Sequence, residues 1–448
     1  MEHTVHSLAQ LQSGELKGTQ RLKIEANLTR FPTKIFDLAD TLELLDLSNN
    51  QLSELPKNLA DLHQLKALFL NNNLFTEVPE ILASCPQLDL ISLKSNQVIE
   101  FKEHAIPKKT RWLILTDNKL TKLPDSIGNL HRLKKLMLAG NQLTYLPETM
   151  RQCQNLQLLR IAANQLCKLP NWLEELPKLA WLAFAGNPFA QNTNRKKTDV
   201  PKITQAEFHL QEQLGQGASG VIHKAGWKSA ELSNKQADVA IKLFKGGITS
   251  DGYPEDELHA SLNAGLHPNL VEVTGHINDE NQLGLVMNLI PSHYNNLGQP
   301  PSLESCTRDQ FEDDYQLSQA DVIKIALTMA DTLAHLHDKQ ISHGDLYAHN
   351  ILIDHQANIL FGDFGAASDF SVLSAKQQQL IKSFEVRAFG YLLEDLLSLI
   401  HTSNQGAQLE VLTKQINNLI DIKNTWCLPP PRLLNRKYLL IYKSSESS

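Results

Sequence analysis

Ile341-Ser-His-Gly-Asp345-Leu-Tyr-Ala-His-Asn350-Ile-Leu-Ile353, followed by Ile359-Leu-Phe-Gly-Asp363-Phe-Gly365, is the stretch that decides the fold of the C-terminal half. Short apolar runs next to polar turns predict strands that carry Asp345, Asn350 and Asp363 in one domain. Two upstream strings belong with it. Leu214-Gly-Gln-Gly-Ala-Ser-Gly220-Val-Ile222 has glycines at 215, 217 and 220, where backbone N–H groups can close over phosphates. Asp238-Val-Ala-Ile-Lys-Leu-Phe244 reads as a strand with Lys242 among apolar residues. A lone Gly-x-Gly-x-x-Gly also fits a dinucleotide site, but that site needs a helix next, and here a strand follows.

Further strands are expected over Phe208–Leu214 and Gly284–Ile290, and an amphipathic helix over Asp321–Lys339. Between Lys242 and the hinge-like strand, Glu257 opens a helical stretch that ends near Gly265, before His267-Pro268. Glu255 and Asp256 stand beside Glu257 as alternative carboxylates. Pro291–Tyr315 is rich in Pro, Ser and Asn and reads as an insertion or lid.

The N-terminal half repeats the template Leu-x-x-Leu-x-Leu-x-x-Asn-x-Leu. Its asparagines stand at 50, 73, 96, 118, 141, 164 and 187, with a degenerate first copy at Asn27; every step is 23 residues except 96 to 118, which is 22. That period is the mark of a leucine-rich repeat. Each unit has a strand whose leucines no single unit can bury, so stacking must bury them as a column. Each asparagine is expected to turn inward and pair backbone groups. Leu55-Pro56, Val78-Pro79, Leu123-Pro124, Leu146-Pro147 and Leu169-Pro170 recur at one phase, where proline can start the convex segment. Side chains between the leucines, such as Phe69, Ile114, Met137 and Arg160, are expected on the concave face, with Trp112 and Trp181 beside them. That face suits a protein substrate or partner, and docking onto the chain's own C-terminal half is the alternative.

The net charge of −7 gives no basic balance for nucleic acid. Five cysteines at wide spacing argue against disulfides or zinc; Cys153 and Cys167 are expected to fill the repeat core. No stretch approaches the ~20 apolar residues of a membrane span. A soluble, cytoplasmic chain is the expectation.

Taken in order, the C-terminal strings resemble the eukaryotic-type protein kinase superfamily over roughly Phe208–Leu440, and the repeats resemble the intracellular Leu-Pro class. The fold expected is an α/β leucine-rich repeat solenoid followed by a bilobal α+β protein-kinase-like domain. Residues 1–195 would hold about eight repeats, 196–205 a linker and 206–448 the kinase domain. The resemblance implies ATP with Mg²⁺ (or Mn²⁺). It implies Gly215, Gly217 and Gly220 over the phosphates, with Ile222, Ala240, Met287, Leu289 and Leu352 around the adenine. Lys242 would reach the phosphates and pair with Glu257, Asp345 would accept the substrate proton, and Asn350 and Asp363 would hold the metal. His343 would be a core residue and Phe364 would pack between the lobes.

The chain also departs from that pattern. The Arg that follows the catalytic-loop His is Gly344, and the Lys two residues past the catalytic Asp is Tyr347. No Ala-Pro-Glu follows Gly365, and Glu385 stands where the large C-lobe helix is expected to begin. The function implied is an ATP-dependent protein kinase acting on serine/threonine hydroxyls, with the repeats recruiting a partner. An ATP-binding scaffold without catalysis and a small-molecule kinase are the alternatives.

Overall fold

The computed structural model describes residues 4–192, 200–217, 219–228, 238–249, 251–279 and 282–400. The basic run at 195–197, Ala218, Cys427 and the Pro- and Ser-rich tail lie outside the described residues. Two compact units emerge, 1–179 with 187–189, and 180–186 with 190–448.

In the first unit a short helix, α1 (Leu8–Ser13), precedes three-residue strands: β1 (Arg21–Lys23), β2 (Leu44–Asp46), β3 (Ala67–Phe69), β4 (Leu90–Ser92), β5 (Trp112–Ile114), β6 (Lys135–Met137) and β7 (Leu158–Arg160). They pair in parallel and in sequence order, and the middle residues fall in one register: Leu22, Leu45, Leu68, Ile91, Leu113, Leu136, Leu159. All seven are fully buried. Burying each contributes about 1.5–3 kcal/mol, which no isolated repeat could realise. Pro79, Pro124, Pro147 and Pro170 each precede a 3₁₀ turn with φ between −70° and −57°, as the Leu-Pro phase requires.

From Asn50 onward the asparagines form a ladder. Asn73 donates to Leu47 O at 2.9 Å and accepts from Leu52 N at 2.9 Å, and Asn118 does the same with Leu93 O and Val98 N at 2.9 Å each. The residue before each, from Asn49 to Gly186, is left-handed, with φ between 52° and 72°. Asn27 departs from the expectation. It is exposed and itself left-handed, and so turns outward. Cys167 likewise is exposed, one residue past buried Leu166 on the turn, whereas Cys153 is buried. Burial pushes the Cys153 thiol up to about 12. Phe69, Ile114 and Met137 stay partly exposed, while Arg160, in register with Met137 on the same face, and Trp181 are buried at 1% and 2%.

The second unit begins with β8 (Trp181–Ala183), the strand of the last repeat. A five-stranded antiparallel sheet follows, in the order β12-β13-β11-β10-β9. Its strands are β9 (Phe208–Gln216), β10 (Gly220–Trp227), β11 (Asp238–Phe244), β12 (Val273–Asp279) and β13 (Gln282–Asn288). Helix α2 (Pro254–Ala264) packs Leu258 and Leu262 on Phe244 and Leu285 of this sheet. Ile203, in the segment expected as linker, is buried in the same lobe with Phe208, Ile241 and Val286. The C-terminal lobe holds β14 (Asn295–Asn296), α3 (Gln319–Asp338), β15 (Ile341–Ser342), β16 (Ile351–Ile353), β17 (Ile359–Phe361), β18 (Ser368–Asp369) and α4 (Ala375–Ser398). The large helix therefore starts ten residues before Glu385, at a capping box of Ser374 and Gln377.

Candidate active site

β11 and β13 put Lys242 beside Leu285 and Ala240 beside Met287, while β10 sets Ile222 opposite Lys242. The glycine-rich turn joins β9 to β10. A Cβ on Gly220 would stand 2.6 Å from Leu243 O, so close strand approach fixes that glycine. Gly215 and Gly217 have nothing within 4 Å at the same position, and their backbone borders open space. All these residues line one cleft of about 860 Å³, together with Leu289, Leu352, Glu257, Asn350 and Asp363. Asp345 alone of the expected site residues does not line it.

Helix α2 decides among the three carboxylates. Proline at its first position starts the helix, Glu255 faces out, Asp256 is half-buried, and Glu257 is 3% exposed on the inner face. Glu257 makes an ion pair with Lys242, and Asp363 Oδ1 lies 3.7 Å from the same ammonium. Burial works against the Lys242 charge, but the Glu257 and Asp363 carboxylates outweigh it and hold its pKa above the ordinary value. Asp363 has φ of +60°, an uncommon conformation for a non-glycine residue, and its side chain accepts from Gly365 N at 3.4 Å.

On the catalytic loop, Asn350 donates to the Asp345 carboxylate at 2.8 Å and to its carbonyl at 2.9 Å. His343 is fully buried, stacked on Phe361 at 4.0 Å, and 2.9 Å from Gly362 O. Burial pushes its pKa down, so it serves as a neutral core residue. Gly344 has φ of +72°, and a Cβ there would meet Ala366 O at 2.6 Å and Leu182 O at 2.9 Å. No arginine side chain fits that position. Glu385 accepts from the N–H of His343 at 2.5 Å and of Gly344 at 3.0 Å, and bonds His337 at 2.6 Å.

Several site residues carried no clear sequence signal. Asp309, inside the expected insertion, bonds His349 through its ring at 2.7 Å and its N–H at 3.1 Å. Burial opposes the His349 charge, but Asp309 outweighs it and raises that pKa. Arg308 next to it pairs with Glu394 and Asp395 at 2.7 and 2.5 Å, which packs the segment on α4 rather than leaving it as a lid. Ser368 is 1% exposed and accepts from the N–H groups of Phe184 and Ala185 at 3.0 and 3.1 Å.

The Asp363 carboxylate, 57% exposed beside a buried lysine, and the Asn350 amide in the same cleft are hard-oxygen donors that fit Mg²⁺. Among the described residues no group of three or more His, Cys, Asp or Glu could close a metal site on protein ligands alone. Mg²⁺ characteristically takes one or two carboxylates plus substrate phosphates.

Residues 208–388 match the family of protein tyrosine and serine/threonine kinases, and 41–62 and 108–166 match leucine-rich repeats. A probable serine/threonine-protein kinase of Dictyostelium discoideum is 34% identical over 170 residues, covering 37% of this chain and 9% of its own. A rust resistance kinase of Triticum aestivum is 28% identical, covering 42% of this chain and 28% of its own. Fibroblast growth factor receptor 1 of Xenopus laevis is 26% identical, covering 38% and 22%. The chain thus spans well under a third of the length of these relatives. A leucine-rich repeat protein of Leptospira interrogans matches at 31% identity and a TM-score of 0.34, over 39% of this chain and 51% of that one. No helix among the described residues is long and apolar enough to cross a membrane. The chain is a leucine-rich repeat region fused to a eukaryotic-type protein-kinase domain.

Proposed function

We propose that the chain transfers the γ-phosphate of ATP to serine/threonine hydroxyls of protein substrates. The repeats, taken as residues 1–195, would recruit the protein partner to the catalytic region, 206–448. The observation that carries this reading is the meeting of two pairs in one domain: Lys242 with Glu257 beside Asp363, and Asn350 on Asp345. Gly215, Gly217 and Gly220 offer backbone to phosphates, while Ile222, Ala240, Met287, Leu289 and Leu352 give an apolar slot for the base. Asp363 and Asn350 are the side chains that would hold Mg²⁺ (or Mn²⁺), whose chemistry is to neutralise charge on phosphate oxygens. Glu257 keeps the Lys242 ammonium in place. Asn350 orients the Asp345 carboxylate, which takes the proton of the attacking hydroxyl.

Asp345→Asn should lower transfer by roughly 10²–10⁴-fold with nucleotide affinity retained. Asp363→Ala should also remove Mg²⁺-dependent nucleotide binding. Radiolabel transfer and fluorescent-nucleotide titration check both. Equal rates for Asp345→Asn and the unaltered chain would overturn the assignment. Nucleotide binding without transfer to any protein or small-alcohol acceptor would identify a scaffold.

A further inference from the structure

We propose that the segment Ala180–Gly186 is a built-in clamp on the catalytic loop, and that Trp181 is a positioning residue for Asp345. The inference rests on the reading of Asp345 as the proton acceptor.

Trp181 is 2% exposed. Its indole N–H donates to Leu346 O at 2.9 Å, one residue past Asp345. Its ring stacks on Tyr347, with centroids 4.6 Å apart and planes 7° apart, and on Tyr391 of α4 at 5.4 Å. Three and four residues further on, the N–H groups of Phe184 and Ala185 converge on the Ser368 hydroxyl. Between them, Leu182 O sits 2.9 Å from where a Cβ on Gly344 would stand. One short segment therefore touches the loop that carries Asp345, the segment after Asp363 and the large helix.

The places it touches are the places where the sequence departs from the kinase pattern. Gly344 stands where the resemblance puts an arginine, and the Leu182 carbonyl leaves no room for that side chain. Tyr347 stands where it puts a lysine, and here a flat ring is needed to meet the indole. An arginine at 344 would serve to grip a phosphorylated segment. In this chain Ser368 is buried and its hydroxyl already accepts two backbone N–H groups, so the segment is held without modification. Trp181 does not reach the reacting atoms. It acts through Leu346 and Tyr347.

The test uses the full chain with Trp181→Phe and Trp181→Ala. Three quantities are read: amide exchange over 343–349, nucleotide affinity, and kcat for transfer. Loss of one hydrogen bond to a buried carbonyl should speed exchange over 343–349 and lower kcat in Trp181→Phe, each by roughly 10-fold. Trp181→Ala, which also loses both stacks, should show roughly 100-fold. Nucleotide affinity should stay within about twofold, because the loss is felt in the transition state. Exchange over 273–288, in the other lobe, should not change. Exchange over 343–349 at the unaltered rate in both variants overturns the clamp. An equal rise over 273–288 also overturns it, since Trp181 would then be a general core residue. Trp181→Phe decides if Trp181→Ala does not fold. If the unaltered chain transfers no phosphate at all, the proposed function fails, while the exchange measurement still decides the clamp.

Discussion

A methyl group at position 344 would stand 2.6 Å from the Ala366 carbonyl oxygen, on backbone with φ of +72°. Gly344→Ala should therefore lower stability by about 1–3 kcal/mol, read as a lower thermal midpoint, and Gly344→Arg by at least as much. Glu385 supports the same loop from the other side. Glu385→Ala would strip the partner from two buried N–H groups, at a cost of about 2–5 kcal/mol in denaturant unfolding. Burial alone would raise the Glu385 pKa, but the bonds from His337 and Gly344 hold it below the ordinary 4.5. A depressed carboxylate contributes stability above its unfolded pKa and loses it as pH falls through the folded one. The deficit of Glu385→Gln should thus be largest at neutral pH and shrink below about pH 4. At this scale the sequence was informative where chemistry is local. Lys242, Asp345 and Asn350 follow from motif order, and the helical register that buries Glu257 rather than Glu255 settles the open choice. What Gly344 touches was not legible, because Leu182 lies far upstream in the chain.

The repeat strands and their asparagines were readable as elements, since a 23-residue period leaves one register for the leucines. The first copy misled because Asn27 sits on a left-handed turn of its own. Asn118→Ala should cost about 2–4 kcal/mol, having stripped partners from Leu93 O and Val98 N, both buried in the ladder. Helix α4 shows the opposite case. Its first turns, Ala375 to Gln379, carry a run of Lys and Gln that hides the apolar periodicity, and the start at the Ser374 and Gln377 capping box is known from the structure. The stretch between Gly365 and this helix is consequently short, with β18 pinned to β15. Phosphatase-treated protein should therefore transfer phosphate from the first turnover, and Ser371→Ala should leave the rate unchanged. A lag removed by autophosphorylation would contradict this.

At the scale of the whole chain, the last repeat strand groups with the kinase-like unit. A chain starting at 180 should keep transfer near the full-length rate, whereas one starting at 200 should fall by roughly 100-fold with the loss of Trp181. Steady-state kinetics beside nucleotide titration separates this from misfolding. Composition could not reveal the grouping, because β8 obeys the repeat template and its catalytic contacts are written in the other half. Phe69, Trp112, Ile114 and Met137 are partly accessible apolar side chains of the repeat strands. Phe69→Ala should weaken partner capture and leave transfer to a generic acceptor intact.

Every ladder asparagine reaches backward. Asn96 bonds Leu70 and Phe75, Asn141 bonds Leu115 and Leu120, and Asn164 bonds Leu138 and Leu143. Each new repeat thus completes the one already made, whose backbone groups, such as Leu52 N–H and Leu47 O, find their partner only in the next asparagine. A ribosome adding ~5–20 residues per second takes roughly one to five seconds over a repeat, far longer than local closure on the microsecond scale. The solenoid can therefore zip shut in the order of its translation, with its open end always at the growing side.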